Sequence, residues 1–271
     1  MLKGNHKMNP LGKALLQFWQ SSIGRKIIVA VTGAMLVLFL LGHVAGNLLV
    51  FQGKEAMNDY AQFLHTMLHG QGVWIARIGL LVAFGLHIWA TISLTIENRA
   101  ARNARYAYDN TVQASKSSRI MIWSGMTVIA FVVFHILHFT VRVSPELANL
   151  PDTAYAAANP GEARHDVYAM VIKGFKNPLV TLFYIVGVSL LCSHLSHGIA
   201  SIFQTLGIRS RKSAGFEQKL GWAISIALWI GFLSIPLSAM FGILKENPKS
   251  HHKAEISPPP ASVEVVATSQ G

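Results

Sequence analysis

Five long apolar segments constrain this chain more than any other feature. They cover residues 27–51, 73–96, 120–141, 178–206 and 220–244. Each exceeds the roughly 20 residues that cross a bilayer as a helix. None contains Asp or Glu, and Arg77 is the one formal charge among them. Because lipid cannot satisfy backbone polar groups, the segments predict an all-α membrane protein with five transmembrane helices in a bundle.

The positive charge is distributed unevenly between the two sides of this predicted bundle. The net charge is +11, although only 13% of the residues are charged. Fourteen Lys and Arg residues flank one side of the spans and eight flank the other. Cytoplasmic loops carry the excess of Lys and Arg, so the N-terminus is predicted inside and the C-terminus outside. The basic charge therefore indicates topology in a lipid bilayer, and no nucleic-acid partner is predicted.

Three regions follow from this pattern. Residues 1–26 form a polar, basic cytoplasmic segment without the features of a cleavable signal peptide. Residues 27–244 form the five-span bundle. Residues 245–271 contain Ser257 followed by three prolines, and they predict a disordered external tail.

Six of the twelve histidines lie inside the predicted spans. Ionisable side chains within a membrane are costly and usually functional. The six occur in the first four spans, and the fifth span carries none. They are His43, His87, His135, His138, His194 and His197.

Four of these histidines fall at two depths. At 1.5 Å per residue, His43 and His135 lie about 25 and 23 Å from the inner ends of their spans. By the same rise, His87 and His194 lie about 14 and 17 Å from the inner ends of theirs. We therefore predict an outer pair, His43 and His135, and an inner pair, His87 and His194, roughly 10 Å apart along the membrane normal.

Two histidines at one depth suit axial ligation of a haem between facing helices. Two pairs predict two b-type haems, since the sequence lacks the Cys-x-x-Cys-His motif of covalent attachment. Ligation by two histidines leaves no open iron position and favours electron transfer. A zinc or di-metal site is the alternative, but it needs carboxylates or cysteines near the histidines. A histidine proton relay is a further alternative that does not require pairing by depth.

Small residues help to choose between neighbouring histidines. Thr32-Gly33 and Ser124-Gly125 precede His43 and His135 at the same spacing, which favours His135 over His138 as a ligand. Gly187 and Gly198 lie near the His194 face of the fourth span and are expected to leave room for a ring there. His138 and His197 are expected to pack or hydrogen-bond, with propionate or quinone contact as the alternative role.

These motifs together resemble the cytochrome b subunit of succinate dehydrogenase and fumarate reductase, in its five-helix, two-haem form. The resemblance covers about residues 20–245. It is carried in chain order by Thr32-Gly33 with Leu41-Gly42-His43, Gly85-Leu86-His87, Ser124-Gly125 with Phe134-His135, and His194-Leu-Ser-His197-Gly198 followed by Gln204-Thr-Leu-Gly207.

The resemblance implies that His87 and His194 hold the haem nearer the hydrophilic subunits, and that His43 and His135 hold the distal haem. It implies a flavoprotein (FAD) subunit, which carries the dicarboxylate site, and an iron–sulfur subunit, both on the inner side. This chain would exchange electrons with menaquinone or ubiquinone in a bacterial cytoplasmic membrane.

The resemblance also bears on a quinone site. Some members of the family use an acidic residue in the first outer loop, and an ungapped count from Gly53 places His65 there. His65 is a possible replacement proton acceptor, because imidazole titrates near neutral pH; the alternative is an exposed loop histidine. Arg77 either pairs with a haem propionate or extends to the membrane interface.

Two other functions remain open on the sequence. One is a di-haem cytochrome b subunit of a different complex, such as a hydrogenase or formate dehydrogenase anchor. The other is a transporter whose histidines relay protons, although transporters usually show internal repeats and broken spans.

Overall fold

The computed structural model describes residues 9–101, 121–210 and 212–246, and the regular secondary structure in these ranges is helical. Five of its helices are long and apolar enough to span a membrane, which confirms the predicted all-α membrane fold. They are α2 (Ser22–Leu48, continued by a 3-10 turn, Leu49–Gln52), α4 (Gln71–Ala100), α5 (Met121–His135, continued by a π-helical segment, Ile136–Val141), α9 (Pro178–Thr205) and α10 (Ala214–Met240). The tail from residue 247 and residues 102–120 lie outside the described residues.

Two spans begin earlier than their apolar stretches predict. The helix α2 begins at Ser22 because the Ser21 hydroxyl caps it, accepting a hydrogen bond from the Gly24 N–H at 2.9 Å. The helix α10 begins at Ala214, so its first turns include polar residues. It ends at Met240, where Gly242 takes a left-handed conformation (φ 70°) that stops the helix.

Shorter helices occupy segments that the sequence predicts as polar tails and loops. They are α1 (Pro10–Gln20), α3 (Lys54–Thr66), α6 (Pro145–Ala148), α7 (Thr153–Ala158) and α8 (Val167–Lys176). The last four lie on one end of the bundle, which we call the capped end (residues 53–70 and 142–177). The other end, where α2 begins and α4 ends, is called the basic end.

The helix α1 makes a tight corner with the first span. A Cβ atom at Gly24 would lie 1.9 Å from the Phe18 carbonyl oxygen, so this corner requires glycine. The Trp19 ring packs against Trp89 of α4 at 5.6 Å between centroids. Other apolar side chains of α1, such as Leu11, are exposed. An amphipathic helix of this kind is typical of a membrane interface.

The histidine-bearing spans are neighbours in the bundle. The helix α2 packs against α4, α9 and α10, and α9 packs against α5 and α10. Large apolar side chains on the outward faces are exposed, for example Leu38, Leu81 and Leu179. A water-soluble protein rarely exposes so much apolar surface, whereas lipid accommodates it.

The close contact of α5 and α9 depends on Gly187. A Cβ atom there would lie 2.2 Å from the Phe131 ring, so Phe131 fills the space that the sequence assigned to a cofactor ring beside His194. The expectation for Gly187 is therefore wrong. A Cβ atom at Gly198, in contrast, meets no heavy atom within 4 Å.

We expect Gly187→Ala to lower the melting temperature of the purified chain, because the added methyl group forces α5 and α9 apart. Overpacking of this kind typically costs about 1–3 kcal/mol. Gly79→Ala is the matched control, since a Cβ atom there meets no heavy atom within 4 Å. Thermal unfolding in detergent measures the difference, and equal melting temperatures for the two variants would contradict the prediction.

Candidate cofactor-binding site

The structure brings the outer pair together. The ring centroids of His43 and His135 lie 5.8 Å apart, with an interplanar angle of 82°. Two imidazole–metal bonds of about 2 Å each place ring centroids roughly 6 Å apart. The spacing of the outer pair therefore fits one metal centre between two imidazoles.

Aromatic side chains surround the outer pair. The Phe39 ring stacks on His43 at 5.2 Å, and Phe131 lies 6.2 Å from His135. The fifth span carries no histidine, yet its Phe232 lies 5.8 Å from His43. The fifth span therefore completes the wall of this site, a role that the sequence did not indicate.

Tyr184 of α9 connects two histidines of the third span. Its hydroxyl lies 3.2 Å from His135 Nδ1 and 3.0 Å from His138 Nδ1. Sequence reasoning missed Tyr184, and the available signal was a single tyrosine hydroxyl within an apolar span. The contact places His138 beside the outer pair, one hydroxyl away from His135.

The inner pair contacts the hydroxyl-glycine motifs of the first and third spans. Thr32 Oγ1 lies 3.1 Å from His87 Nδ1, and Ser124 Oγ lies 3.2 Å from His194 Nδ1. A Cβ atom at Gly33 would lie 3.3 Å from the His87 ring, so glycine lets that ring approach the helix. The motifs that aligned His43 with His135 thus hold the histidines of the other layer.

On the first and third spans, one helix face carries residues of both layers. Thr32 precedes His43 by eleven residues, and Ser124 precedes His135 by eleven residues. Eleven residues make about three helical turns and about 16 Å of rise. Each hydroxyl therefore lies on the same helix face as the outer histidine of its span, about three turns away.

The remaining candidate residues are His197, His65 and Arg77. The His197 ring packs edge-on near Trp222 at 6.2 Å, and its buried Nε2 has no hydrogen-bond partner among the described residues. His65 is exposed on α3, where its Nδ1 lies 2.8 Å from the Ala61 carbonyl oxygen. The Arg77 guanidinium lies 5.2 Å from the Trp74 ring centroid. Within the described ranges, neither His65 nor Arg77 hydrogen-bonds to the inner or outer pair.

At the outer pair, the groups that the structure brings together are two imidazoles. In the part of the chain that the structure describes, no group of three or more His, Cys, Asp and Glu side chains is arranged to hold a metal ion. Structural zinc normally takes four protein ligands and catalytic zinc three. Axial ligation of haem by imidazoles needs two protein ligands.

A buried ionic network, which we call the capped-end cluster, joins α3 to the segment between the third and fourth spans. Its members are Lys54, Asn58, Asp152, Arg164 and Asp166. Asp152 is 1% exposed and receives hydrogen bonds from Lys54 at 2.8 Å and Arg164 at 2.8 Å. The Asn58 amide donates to both Asp152 and Asp166 at 3.1 Å. These bonds join α3 to a segment that is distant in sequence.

The electrostatics of the cluster favour its charged form. Burial alone would raise the pKa of Asp152, but hydrogen bonds from Lys54, Arg164 and Asn58 outweigh it and lower that pKa to about 2. Burial likewise opposes the charge on Lys54, whose pKa is nevertheless raised by hydrogen bonds to Asp152 and Asp166. The sequence showed only that the loop's four basic residues are balanced by four acidic ones.

The capped end also reaches the outer pair. A Cβ atom at Gly174 of α8 would lie 2.8 Å from the Phe139 ring and 3.2 Å from the His138 ring. Phe175 packs edge-on against Tyr184 at 4.8 Å. The helix α8 therefore covers the aromatic surroundings of the outer pair.

Comparison with curated proteins finds similarity to the succinate dehydrogenase cytochrome b558 subunit of Bacillus subtilis (strain 168). The two are 23% identical over 207 residues, which is 76% of this chain and 89% of that protein. No family model and no solved structure matches the chain. The resemblance to the cytochrome b subunits of succinate dehydrogenase, inferred from short motifs, is confirmed by this similarity.

Proposed function

We propose that this relative of the succinate dehydrogenase cytochrome b subunits is a di-haem membrane anchor of a succinate:quinone oxidoreductase or quinol:fumarate reductase. The observation that carries the proposal is the close approach of the His43 and His135 rings, which come from two different spans. The outer pair faces across 5.8 Å, and each histidine of the inner pair contacts a hydroxyl-glycine motif of a neighbouring span. The similarity to the Bacillus subtilis subunit supports it.

Four imidazoles hold the two groups in this proposal. His87 and His194 ligate the proximal haem, and His43 and His135 ligate the distal haem. When bound, haem iron supplies reversible one-electron transfer between an iron–sulfur partner and membrane quinone. Phe39, Phe131 and Phe232 keep water from the outer pair, because their rings pack against its imidazoles.

The proposed orientation follows the positive charges. The basic end faces the cytoplasm, where the iron–sulfur subunit and the FAD-bearing subunit with the dicarboxylate site dock. The N-terminus is inside and the C-terminus outside a bacterial cytoplasmic membrane. The capped end then lies on the outer side, next to the distal haem.

A quinone contact is best supported at His138 among the secondary candidates. Its Nδ1 lies 3.0 Å from the Tyr184 hydroxyl, which also contacts His135. His65 and Arg77 have no such contact with the outer pair among the described residues. His197 lies on the span of the inner pair, so a propionate contact is its remaining proposed role.

Purification of the complex from its native membrane tests the function. We expect b-type absorption in the reduced-minus-oxidised spectrum, two haems per chain, and a co-purified flavin-bearing partner. A chain without b-type absorption would refute the proposal and leave the proton-relay transporter. Two haems with a partner that lacks flavin would instead identify the anchor of another oxidoreductase.

A further inference from the structure

The Thr32 hydroxyl donates its proton to a backbone carbonyl oxygen. Thr32 Oγ1 donates to the Ile28 carbonyl oxygen at 2.6 Å, which is shorter than its 3.1 Å contact with His87 Nδ1. A hydroxyl has one proton and two lone pairs. Because the Thr32 proton is donated to the Ile28 carbonyl oxygen, Thr32 Oγ1 can only accept a hydrogen bond from His87. His87 Nδ1 therefore carries the ring proton.

Ser124 repeats this arrangement on the third span. Its Oγ donates to the Met121 carbonyl oxygen at 2.9 Å and lies 3.2 Å from His194 Nδ1. The Ser124 oxygen is again the acceptor, and His194 Nδ1 is again the donor. Each inner histidine thus donates a hydrogen bond to a hydroxyl oxygen, and the two hydroxyls come from different spans.

We propose that Thr32 and Ser124 are positioning residues that fix the inner-pair imidazoles with Nδ1 protonated and Nε2 free. This inference rests on the proposed function, because a free Nε2 is what a metal-bound imidazole requires. A hydrogen bond from the second ring nitrogen fixes the tautomer and ring orientation, and it makes the ligand more basic. The hydroxyls therefore set both the ring orientation of the inner histidines and the basicity of their Nε2 atoms.

The outer pair lacks this symmetry. His135 Nδ1 shares the Tyr184 hydroxyl with His138, and the His43 side chain has aromatic neighbours but no hydrogen bond among the described residues. Removing the Thr32 or Ser124 hydroxyl should thus affect the haem of the inner pair alone. That selectivity separates a positioning role from a general loss of stability.

The expected effect is a rise in one reduction potential. A more basic imidazole favours ferric iron, so losing the acceptor on Nδ1–H shifts the equilibrium toward ferrous iron. We expect Thr32→Val to change the ferric-to-ferrous ratio of the inner haem by up to tenfold, which is about 59 mV for a one-electron couple. Ser124→Ala should move the same haem in the same direction.

The experiment is a redox titration of the purified complex, with haem content and the low-spin ferric EPR signals recorded for each variant. Thr91→Val is the matched control for Thr32→Val, because Thr91 Oγ1 donates to the His87 carbonyl oxygen at 2.7 Å and does not contact the ring. Thr127→Val is the control on the third span, where the hydroxyl donates to the Trp123 carbonyl oxygen. Thr32→Ser keeps the hydroxyl and should restore the wild-type potential.

The outcomes are distinct. A wild-type complex without haem refutes the proposed function. Two haems in the wild type, with potentials and EPR signals unchanged in Thr32→Val and Ser124→Ala, refute this inference and leave the function intact. If Thr32→Val does not accumulate, Ser124→Ala decides. A shift in both haems, or a shift in Thr32→Ser equal to that in Thr32→Val, also overturns the inference.

Discussion

Replacing any one of His43, His87, His135 and His194 with alanine is expected to leave one haem per chain in place of two. In the proposed arrangement each iron would take one imidazole from each of two spans, so losing either ligand would empty that site. The other site should survive, because its ligands are predicted to lie at a different depth of the bundle. Haem content per polypeptide, with the reduced-minus-oxidised spectrum, measures the loss.

The assignment of pairs gives this prediction a sharper form. Variants at His43 and His135 should lose the same spectral component, and variants at His87 and His194 should lose the other. His65→Ala is the control, because His65 is exposed on α3 and should retain both haems. A pair of variants that share a layer but lose different components would contradict the assignment.

Neighbouring histidines provide the strongest contrast. We expect His138→Ala and His197→Ala to retain two haems, since the third-span ring that faces His43 is His135 and the fourth-span ring beside Ser124 is His194. Loss of a haem in His197→Ala, with normal content in His194→Ala, would reverse the ligand choice in the fourth span.

Asp152→Asn is expected to destabilise the protein strongly. Asp152 is fully buried in the capped-end cluster, where it bonds to both Lys54 and Arg164. Removing one partner from a buried ionic network typically costs about 3–5 kcal/mol, because the remaining charges lose their compensation. A fall of that size in the free energy of unfolding should be visible as a lower melting temperature in detergent.

Glu146→Gln is the matched control for Asp152→Asn. Glu146 lies in the same loop, but its side chain is exposed, so the change should be close to neutral. Equal melting temperatures for the two variants would show that the capped-end cluster contributes little to stability.

The same carboxylate predicts a pH dependence. The pKa of Asp152 falls from 3.8 to about 2 on folding, so the folded state stabilises its charged form. Its contribution is fully present above pH 3.8 and is lost as the pH falls through about 2. The stability difference between the wild type and Asp152→Asn should therefore be constant between about pH 5 and 8 and narrow only in strong acid.

The spans and the common depth of the outer pair could be predicted from sequence because they depend on quantities that scale simply with residue number. Apolar length indicates a membrane helix, and a rise of 1.5 Å per residue converts position into depth. That arithmetic grouped His43 with His135, and the structure places their rings side by side. Which histidines ligate haem stays a prediction.

The remaining features depend on the rotation and packing of helices, which a single sequence does not reveal. Tyr184 looks like any aromatic residue of an apolar span until α9 packs against α5. Gly187 was assigned to a cofactor pocket, but the relative rotation of two helices turns it toward Phe131. The capped-end cluster joins Lys54 to Asp152, nearly a hundred residues away, and charge counting does not identify such partners.

In the first and third spans, the eleven-residue spacing between hydroxyl and histidine fixes how the residues of one layer are placed relative to those of the other. Inserting one residue between Thr32 and His43 would turn His43 by about 100° and move it by 1.5 Å along the axis. The Thr32 hydroxyl would still contact His87, but His43 would face a different neighbour. A change in the length of helix between the layers therefore alters the geometry of the outer layer even when every side chain of both layers is kept.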